Sequence, residues 1–249
     1  MIQKTRQSTF GLITLLIAIW GGGLSPPTFA NTLGLDWLAN QAQPAGDYST
    51  ADDLNAPFMA TAETLLSFYQ LGETETSQPS MTGALNFVNT DGFVSTDEVC
   101  QVLKVNARAG RPVEPFINEL ATRLSDNGGL GDLEDYDSAV RDTAVALDAL
   151  AKTPIVETHL SLLYPTIDFL LKQQHANGGW ADNGNQTSVS FTAQVMQALW
   201  HYRHQLSNIP SLNVVPALDK AQAYLLAQRN DNGLWNETFE SALALIAIL

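Results

Sequence analysis

Two carboxylates in this chain stand where they could act together. Asp142 and Glu240 directly precede Thr143-Ala144 and Ser241-Ala242, at the starts of two helical patterns of one kind. Paired carboxylates divide acid and base roles when their surroundings separate their proton affinities. Arg141 adjoins the first of them. The simpler alternative is a carboxylate held at a helix N-terminus by the helix dipole, which needs no second group and is preferred. Asp132, Glu134, Asp135 and Asp137 crowd one loop beside Gly131. Asp132, Asp135 and Asp137 are candidate ligands for a hard cation such as calcium. Their spacing fits no standard calcium loop, and a solvated loop leading into a helix is the alternative. His201 and His204, three apart near a helix end, could grip a metal, or could simply answer the helix dipole. The single cysteine, Cys100, takes a place filled elsewhere by Leu or Met and reads as a small buried residue. There is no Gly-x-Ser-x-Gly element and no phosphate loop, and no cofactor is expected.

The chain has 249 residues, enough for a full core, and one large domain is expected over two. Twelve basic against 26 acidic residues give a net charge of −14. Such a chain repels phosphate backbones and anionic lipid heads, which excludes nucleic-acid and membrane-surface partners. One cysteine excludes an internal disulfide framework and a thiolate cage for zinc.

Lys4 and Arg6 precede an apolar run from Phe10 to Trp20, followed by breakers from Gly21 to Pro27 and by Thr28-Phe29-Ala30. This is the form of a secretory signal peptide cut after Ala30. The run is short for an anchor across a hydrocarbon layer of roughly 30 Å. Residues 31–249 are therefore expected to be exported, periplasmic or secreted, with no membrane attachment after cleavage.

What must position the candidate residues is a repeat. One pattern reads aromatic-Leu-x-x-Gln-x4-Gly-x-aromatic. It occurs at Trp37-Leu38 with Gln41, Gly46 and Tyr48; at Phe169-Leu170 with Gln173, Gly178 and Trp180; and at Tyr224-Leu225 with Gln228, Gly233 and Trp235. A degenerate copy has Glu119-Leu120, Arg123, Gly128 and Leu130, and a shortened one surrounds Gly92. The second pattern, [Ser/Thr]-Ala-x-small-Leu-x-Ala-Leu, starts at Thr143, Thr192 and Ser241, with looser copies at Thr61 and Thr96. Apolar residues at i, i+3, i+4 and i+7 make one face of a helix, and small ones there let helices approach closely. Each unit is thus a helix, a Gly-containing loop and a second helix. Five such pairs account for the chain after Ala30, and the fold is expected to be all-α. The repeat glycines suit left-handed helix caps, and Asp137 or Ser138, Thr187 or Ser188, and Thr238 suit N-caps. Trp180 and Trp235 could serve as sugar platforms, but their place in the repeat favours packing.

The Gln…Gly-x-Trp element resembles the repeat of squalene–hopene cyclases and protein prenyltransferases. The resemblance covers residues 31–249 and implies an α/α toroid: an inner and an outer ring of helices around a cavity, with the Gln and aromatic side chains bracing helix ends. Such rings usually close with more pairs than the five counted here, and the last helix runs to Leu249 within its own apolar pattern. A fragment, an incomplete ring, or an arc closed by another protein region is therefore expected. Squalene–hopene cyclases carry Asp-x-Asp-Asp before Thr-Ala. The matching residues are Ala139, Arg141 and Asp142; Ser188, Ser190 and Phe191; and Glu237, Phe239 and Glu240, so no copy carries the motif. Where prenyltransferases hold zinc, the matching Ala60, Ser95, Asp142, Phe191 and Glu240 include no His or Cys. Intact repeats beside vacated reactive positions imply a non-catalytic ligand-binding or scaffold module whose cavity takes an apolar or amphipathic small molecule. The alternatives are a divergent terpenoid-cyclase-like or polysaccharide-degrading enzyme using Asp142 and Glu240, and a cobalamin-type carrier, which no residue singles out.

Overall fold

A computed structural model describes residues 28–48, 57–90, 94–134, 136–154, 157–182, 184–206, 208–235 and 237–249. They form ten α-helices in five pairs and no strand: α1 (Thr28–Ala39), α2 (Pro57–Gln70), α3 (Ser80–Thr90), α4 (Thr96–Arg108), α5 (Glu114–Thr122), α6 (Val140–Leu150), α7 (Leu160–Lys172), α8 (Val189–Trp200), α9 (Val215–Ala227) and α10 (Thr238–Ile248). The even-numbered helices pack in series, α2 on α4, α4 on α6, α6 on α8 and α8 on α10. Helices α3, α5, α7 and α9 stand behind them, each against the even-numbered helix that precedes it in the chain. The result is an inner and an outer layer of an α/α toroid. Among the described residues α2 and α10 form no packed pair. No described helix is long and apolar enough to cross a membrane, and the expected cut after Ala30 falls in the first turn of α1.

The core lies between the layers. One cluster joins pairs one to three around Leu65, Phe68, Leu85 and Leu103; the other joins pairs four and five around Trp180, Leu199, Tyr202 and Leu225. They meet at α6, where Ala146 and Ala149 face the first and Ala144 and Leu147 the second. Small residues on that helix let both neighbours approach closely.

The two repeat patterns are tied to each other. The backbone N–H of the aromatic-position residue donates to the hydroxyl that opens the next inner helix: Tyr48 to Thr61 at 2.9 Å, Leu130 to Thr143 at 2.9 Å, Trp180 to Thr192 at 3.0 Å and Trp235 to Ser241 at 3.0 Å. Trp180 and Trp235 are buried, and each Nε1–H donates to a carbonyl of the preceding outer helix, Leu170 at 2.7 Å and Leu225 at 2.8 Å. Their surroundings match, as a true repeat requires, and neither ring is open as a sugar platform.

Four expectations change. The repeat glycines do not cap helices: α7 ends in the right-handed conformation at Gln173, and Gly178 lies further on with φ +90°. It closes a turn in which its N–H donates to His175 O while His175 N–H donates to Gly179 O; Gly46, Gly128 and Gly233 sit in the same paired arrangement. Bracing does not come from Gln173 or Gln228, which are exposed; the neighbouring Gln174 bridges Gly178 O at 3.0 Å and Ala217 O at 2.8 Å. Gln41, just past the end of α1, donates back to Trp37 O at 3.2 Å. Ser188 does cap α8, but the cap residues of α6 and α10 are Ala139 and Glu237, with no side-chain cap bond. Finally, Thr96 is not the partner of Thr143. The pairs Asp97–Arg141 and Lys104–Asp148 both span 44 residues and set Val99 opposite Thr143, a slide of about one turn.

Candidate functional site

With that register, each inner helix turns one stripe away from the outer layer, at spacing i, i+4, i+7 and i+11. On α4 the stripe is Asp97, Gln101, Lys104 and Arg108; on α6 it is Arg141, Val145, Asp148 and Lys152; on α8 it is Ser190, Gln194, Gln197 and His201. Most of the residues between them are buried. These stripes therefore face the middle of the arc and are mostly polar, while the matching stripes of α2 (Met59, Glu63, Leu66 and Gln70) and α10 (Phe239, Leu243 and Ile246) are half and wholly apolar.

At the N-terminal ends of these helices the first level forms a mouth. Arg141 pairs with Asp97 across the seam between α4 and α6, reaches Asp142 Oδ1 at 3.1 Å, and donates its backbone N–H to Asp182 Oδ1 at 3.3 Å. The Asp142 carboxyl is pushed up to about 6, chiefly by burial; Arg141 opposes this, while Asp132, Asp97 and Asp182 add to it. A carboxyl near neutrality gains and loses protons at working pH. Burial works against the Arg141 charge, but Asp97, Asp142 and Asp182 outweigh it and hold the guanidinium protonated.

Glu240 belongs to a different place. It borders a cleft of about 330 Å³ with Ser188, Tyr224 and Gln228. Burial and Glu237 raise its carboxyl above the usual range. Helix α8 stands between α6 and α10, so the structure sets Asp142 among Asp97, Asp132 and Asp182, not beside Glu240. Both occupy the third residue after the cap, and so does Glu98 on α4, which closes a capping box with Ser95. Dipole stabilisation accounts for a carboxylate at that position.

The second level carries Glu63, Gln101, Val145 and Gln194. Gln101 Nε2 donates to Glu63 Oε1 at 2.7 Å. Among the described residues the amide oxygens of Gln101 and Gln194 are both buried and accept no hydrogen bond. An unpartnered buried acceptor costs about 1–3 kcal/mol.

The lower levels are charged. Asp148 meets Lys152 at 3.2 Å, His201 at 3.3 Å and Lys104 at 4.0 Å. Burial works to raise its carboxyl, yet these three partners hold it well below the usual range. Two clefts open here. One of about 170 Å³ lies among Glu63, Ser67, Lys104, Arg108 and Lys152. The other, of about 330 Å³, lies among Asp148, Gln197, Trp200, His201 and Ile246.

Of the cation candidates, Asp132 offers its backbone carbonyl to Thr96 N–H at 2.8 Å and to Arg123 Nη1 at 2.8 Å, and Asp135 lies outside the described residues. Among the described residues no three His, Cys, Asp or Glu side chains converge as metal ligands, Asp132 and Asp137 included. Cys100 is fully buried and its thiol is pushed up by burial. Arg123, in the degenerate copy, has the least expected role. It is buried, donates to Thr96 Oγ1 at 3.3 Å and pairs with Glu119 at 3.0 Å, bracing the start of α4. Its position in the Gln slot of the repeat was the available signal.

No protein-family model matches the chain, and no curated protein matches it by sequence. Solved structures do. The ent-copalyl diphosphate synthase from Streptomyces platensis aligns over 96% of this chain and 48% of its own, at 18% identity and a TM-score of 0.69. A glycosyl hydrolase family 88 protein from Bacteroides vulgatus aligns over 96% and 88%, at 14% identity and 0.66. The protein geranylgeranyltransferase-I of Candida albicans aligns over 95% and 83%, at 15% identity and 0.60. The fold is that of the α/α toroids. At identities this low the likeness establishes the architecture, and the chain spans about half the length of the synthase.

Proposed function

We propose that the protein is an exported α/α toroid whose inner face binds a hydroxyl-rich, hydrophilic ligand, an oligosaccharide. One observation carries the reading. The stripes of α4, α6 and α8 present Asp97, Lys104, Arg141, Asp148, Gln197 and His201 toward the middle of the arc, groups that sugar hydroxyls can match as donors and acceptors. An isoprenoid would leave those polar and charged groups desolvated and unmatched. The polar stripes of α4, α6 and α8 thus favour a hydrophilic ligand over the apolar or amphipathic one expected from the sequence. The glycosyl hydrolase family 88 neighbour, built on the same fold, supports a sugar ligand. Export rests on Lys4, Arg6 and the run from Phe10 to Trp20.

The test is a thermal-shift and calorimetric screen of soluble oligosaccharides against prenyl diphosphates. A sugar should raise the melting temperature by linkage. Gln101→Leu/Gln194→Leu should fold and lose that rise. A rise with the prenyl diphosphate alone, or a rise unchanged in the double variant, refutes the reading.

A second reading, that the protein is an enzyme, is favoured by Asp142. A carboxyl at about 6, at the mouth of the polar lumen, is poised for proton transfer to a bound ligand. Product formation from a bound oligosaccharide, lost in Asp142→Asn with binding retained, would establish it.

A further inference from the structure

The lower level of the lumen gathers positive charge. Lys104 and Arg108 stand one turn apart on the stripe of α4, and Lys152 follows the last turn of α6. All three line the cleft of about 170 Å³, together with Glu63, Leu66, Ser67 and Gln70 of α2. They are three of only twelve basic residues in a chain with 26 acidic ones. The helix dipole favours a cation at the end of its own helix. It does not account for side chains from two helices turning into one space, where they repel each other.

The chain's own carboxylates answer part of this charge. Asp148 is shared: its Oδ1 meets Lys152 at 3.2 Å and His201 at 3.3 Å, and its Oδ2 meets Lys104 at 4.0 Å. Burial works to raise the Asp148 carboxyl, yet these partners hold it below the ordinary range, so this level of the lumen favours negative charge. Glu63 stands one level higher, where its Oε1 accepts from Gln101 Nε2 at 2.7 Å. Among the described residues no carboxylate pairs with Arg108, whose side chain is exposed. Three cations against Glu63 and Asp148 leave one positive charge in excess before His201 is counted.

We infer that this cleft is an oxyanion subsite, which takes a carboxylate or sulfate group borne by the ligand. The inference rests on the oligosaccharide reading and narrows it to an acidic sugar. Arg108 offers a planar fork that matches two oxygens of such a group, and Lys104 and Lys152 supply point charges beside it. The Ser67 hydroxyl donates to Glu63 O at 2.9 Å, which leaves the three cations as the donors to the anion. Asp148 sets the strength of the subsite. It holds the lysines together without a ligand, and it competes with the ligand's anion for them.

Titration calorimetry on the purified protein tests this with matched pairs. Short uronate and sulfated oligosaccharides are each set beside a methyl-esterified or desulfated counterpart, and inorganic sulfate is titrated alone. The acidic member of a pair should bind about tenfold more tightly than the neutral one. Arg108→Gln/Lys152→Gln should bring that ratio close to one, and Asp148→Asn, which removes the competing carboxylate, should raise it. Circular dichroism checks that each variant folds, and Arg108→Gln alone, on an exposed side chain, decides the matter where the double variant does not. Equal affinities within every pair, or a ratio unchanged in the variants, overturn the subsite and leave the oligosaccharide reading standing. Sulfate binding that is lost in the double variant, with no sugar bound, keeps the subsite for a free oxyanion and refutes the oligosaccharide reading. Sulfate binding that survives in the double variant, with no pair discriminated, is an adventitious ion only and overturns the subsite. No binding by sulfate or any sugar overturns both.

Discussion

Thr192 Oγ1 accepts the backbone N–H of Trp180 at 3.0 Å, and both residues are fully buried. The bond joins the loop after one helix to the start of the next, so it fixes where an inner helix begins relative to its outer partner. Thr192→Val keeps the shape and removes the acceptor. The buried N–H of Trp180 then has no partner, which costs about 1–3 kcal/mol. Chemical denaturation should show that loss, whereas Gln173→Ala, on an exposed side chain, should be nearly silent.

Trp180 itself carries more. Its ring is wholly enclosed and its Nε1–H donates to Leu170 O. Trp180→Ala should cost roughly 3–5 kcal/mol. Trp180→Phe keeps most of the apolar volume but leaves the Leu170 carbonyl without that donor, and should fall between Ala and wild type. An unchanged melt for Trp180→Ala would remove the ring from its bracing role.

Pairing of helices and their number were legible because the repeat places apolar and small residues at helical spacing, whereas the toroid followed from the resemblance of the Gln…Gly-x-Trp element to the repeat of cyclases and prenyltransferases. Register was less so. Sliding α4 by one turn maps a pattern of i, i+3, i+4 and i+7 nearly onto itself, so Thr96 and Val99 fit the same face. The ion pairs Asp97–Arg141 and Lys104–Asp148, together with the helix caps Ser95 and Ala139, choose between them. The polar inner stripe was hidden for the same reason, since assigning Gln101 and Gln194 to one level requires that register. Gln174 and Arg123 were out of reach because their partners, Ala217 and Thr96, are far along the chain.

Asp142 and Asp148, on one helix, should bend the stability profile in opposite directions. The Asp142 carboxyl rises from 3.8 to about 6 on folding, so its neutral form is the favoured one in the fold. Its contribution is full below about pH 3.8 and is lost as pH rises through about 6. Asp142→Asn should therefore be more stable than wild type at pH 7.5, by about 1–3 kcal/mol, with the advantage vanishing near pH 4. Asp148 is held below its ordinary 3.8, so its contribution is present above that value and fades as pH falls below it. Asp148→Asn should lose stability at pH 7.5, and that loss should begin to shrink only as pH falls below about 3.8. Urea melts of both variants from pH 3 to 8 check the two signs together.

Gly178 and Gly233 share a left-handed turn but differ in what lies against it, so one substitution separates backbone strain from packing. Both have positive φ, where a Cβ costs about 1–2 kcal/mol. At Gly233 the new methyl meets only the end of the flexible Arg229 side chain, which can swing away. Gly233→Ala should cost that strain and little else. At Gly178 the methyl drives into the Lys220 carbonyl, inside helix α9, and backbone there cannot yield without moving the helix. Overpacking adds about 1–3 kcal/mol, so Gly178→Ala should cost clearly more than Gly233→Ala. Equal losses in parallel denaturant titrations would mean that α9 does not seat on the Gly178 turn.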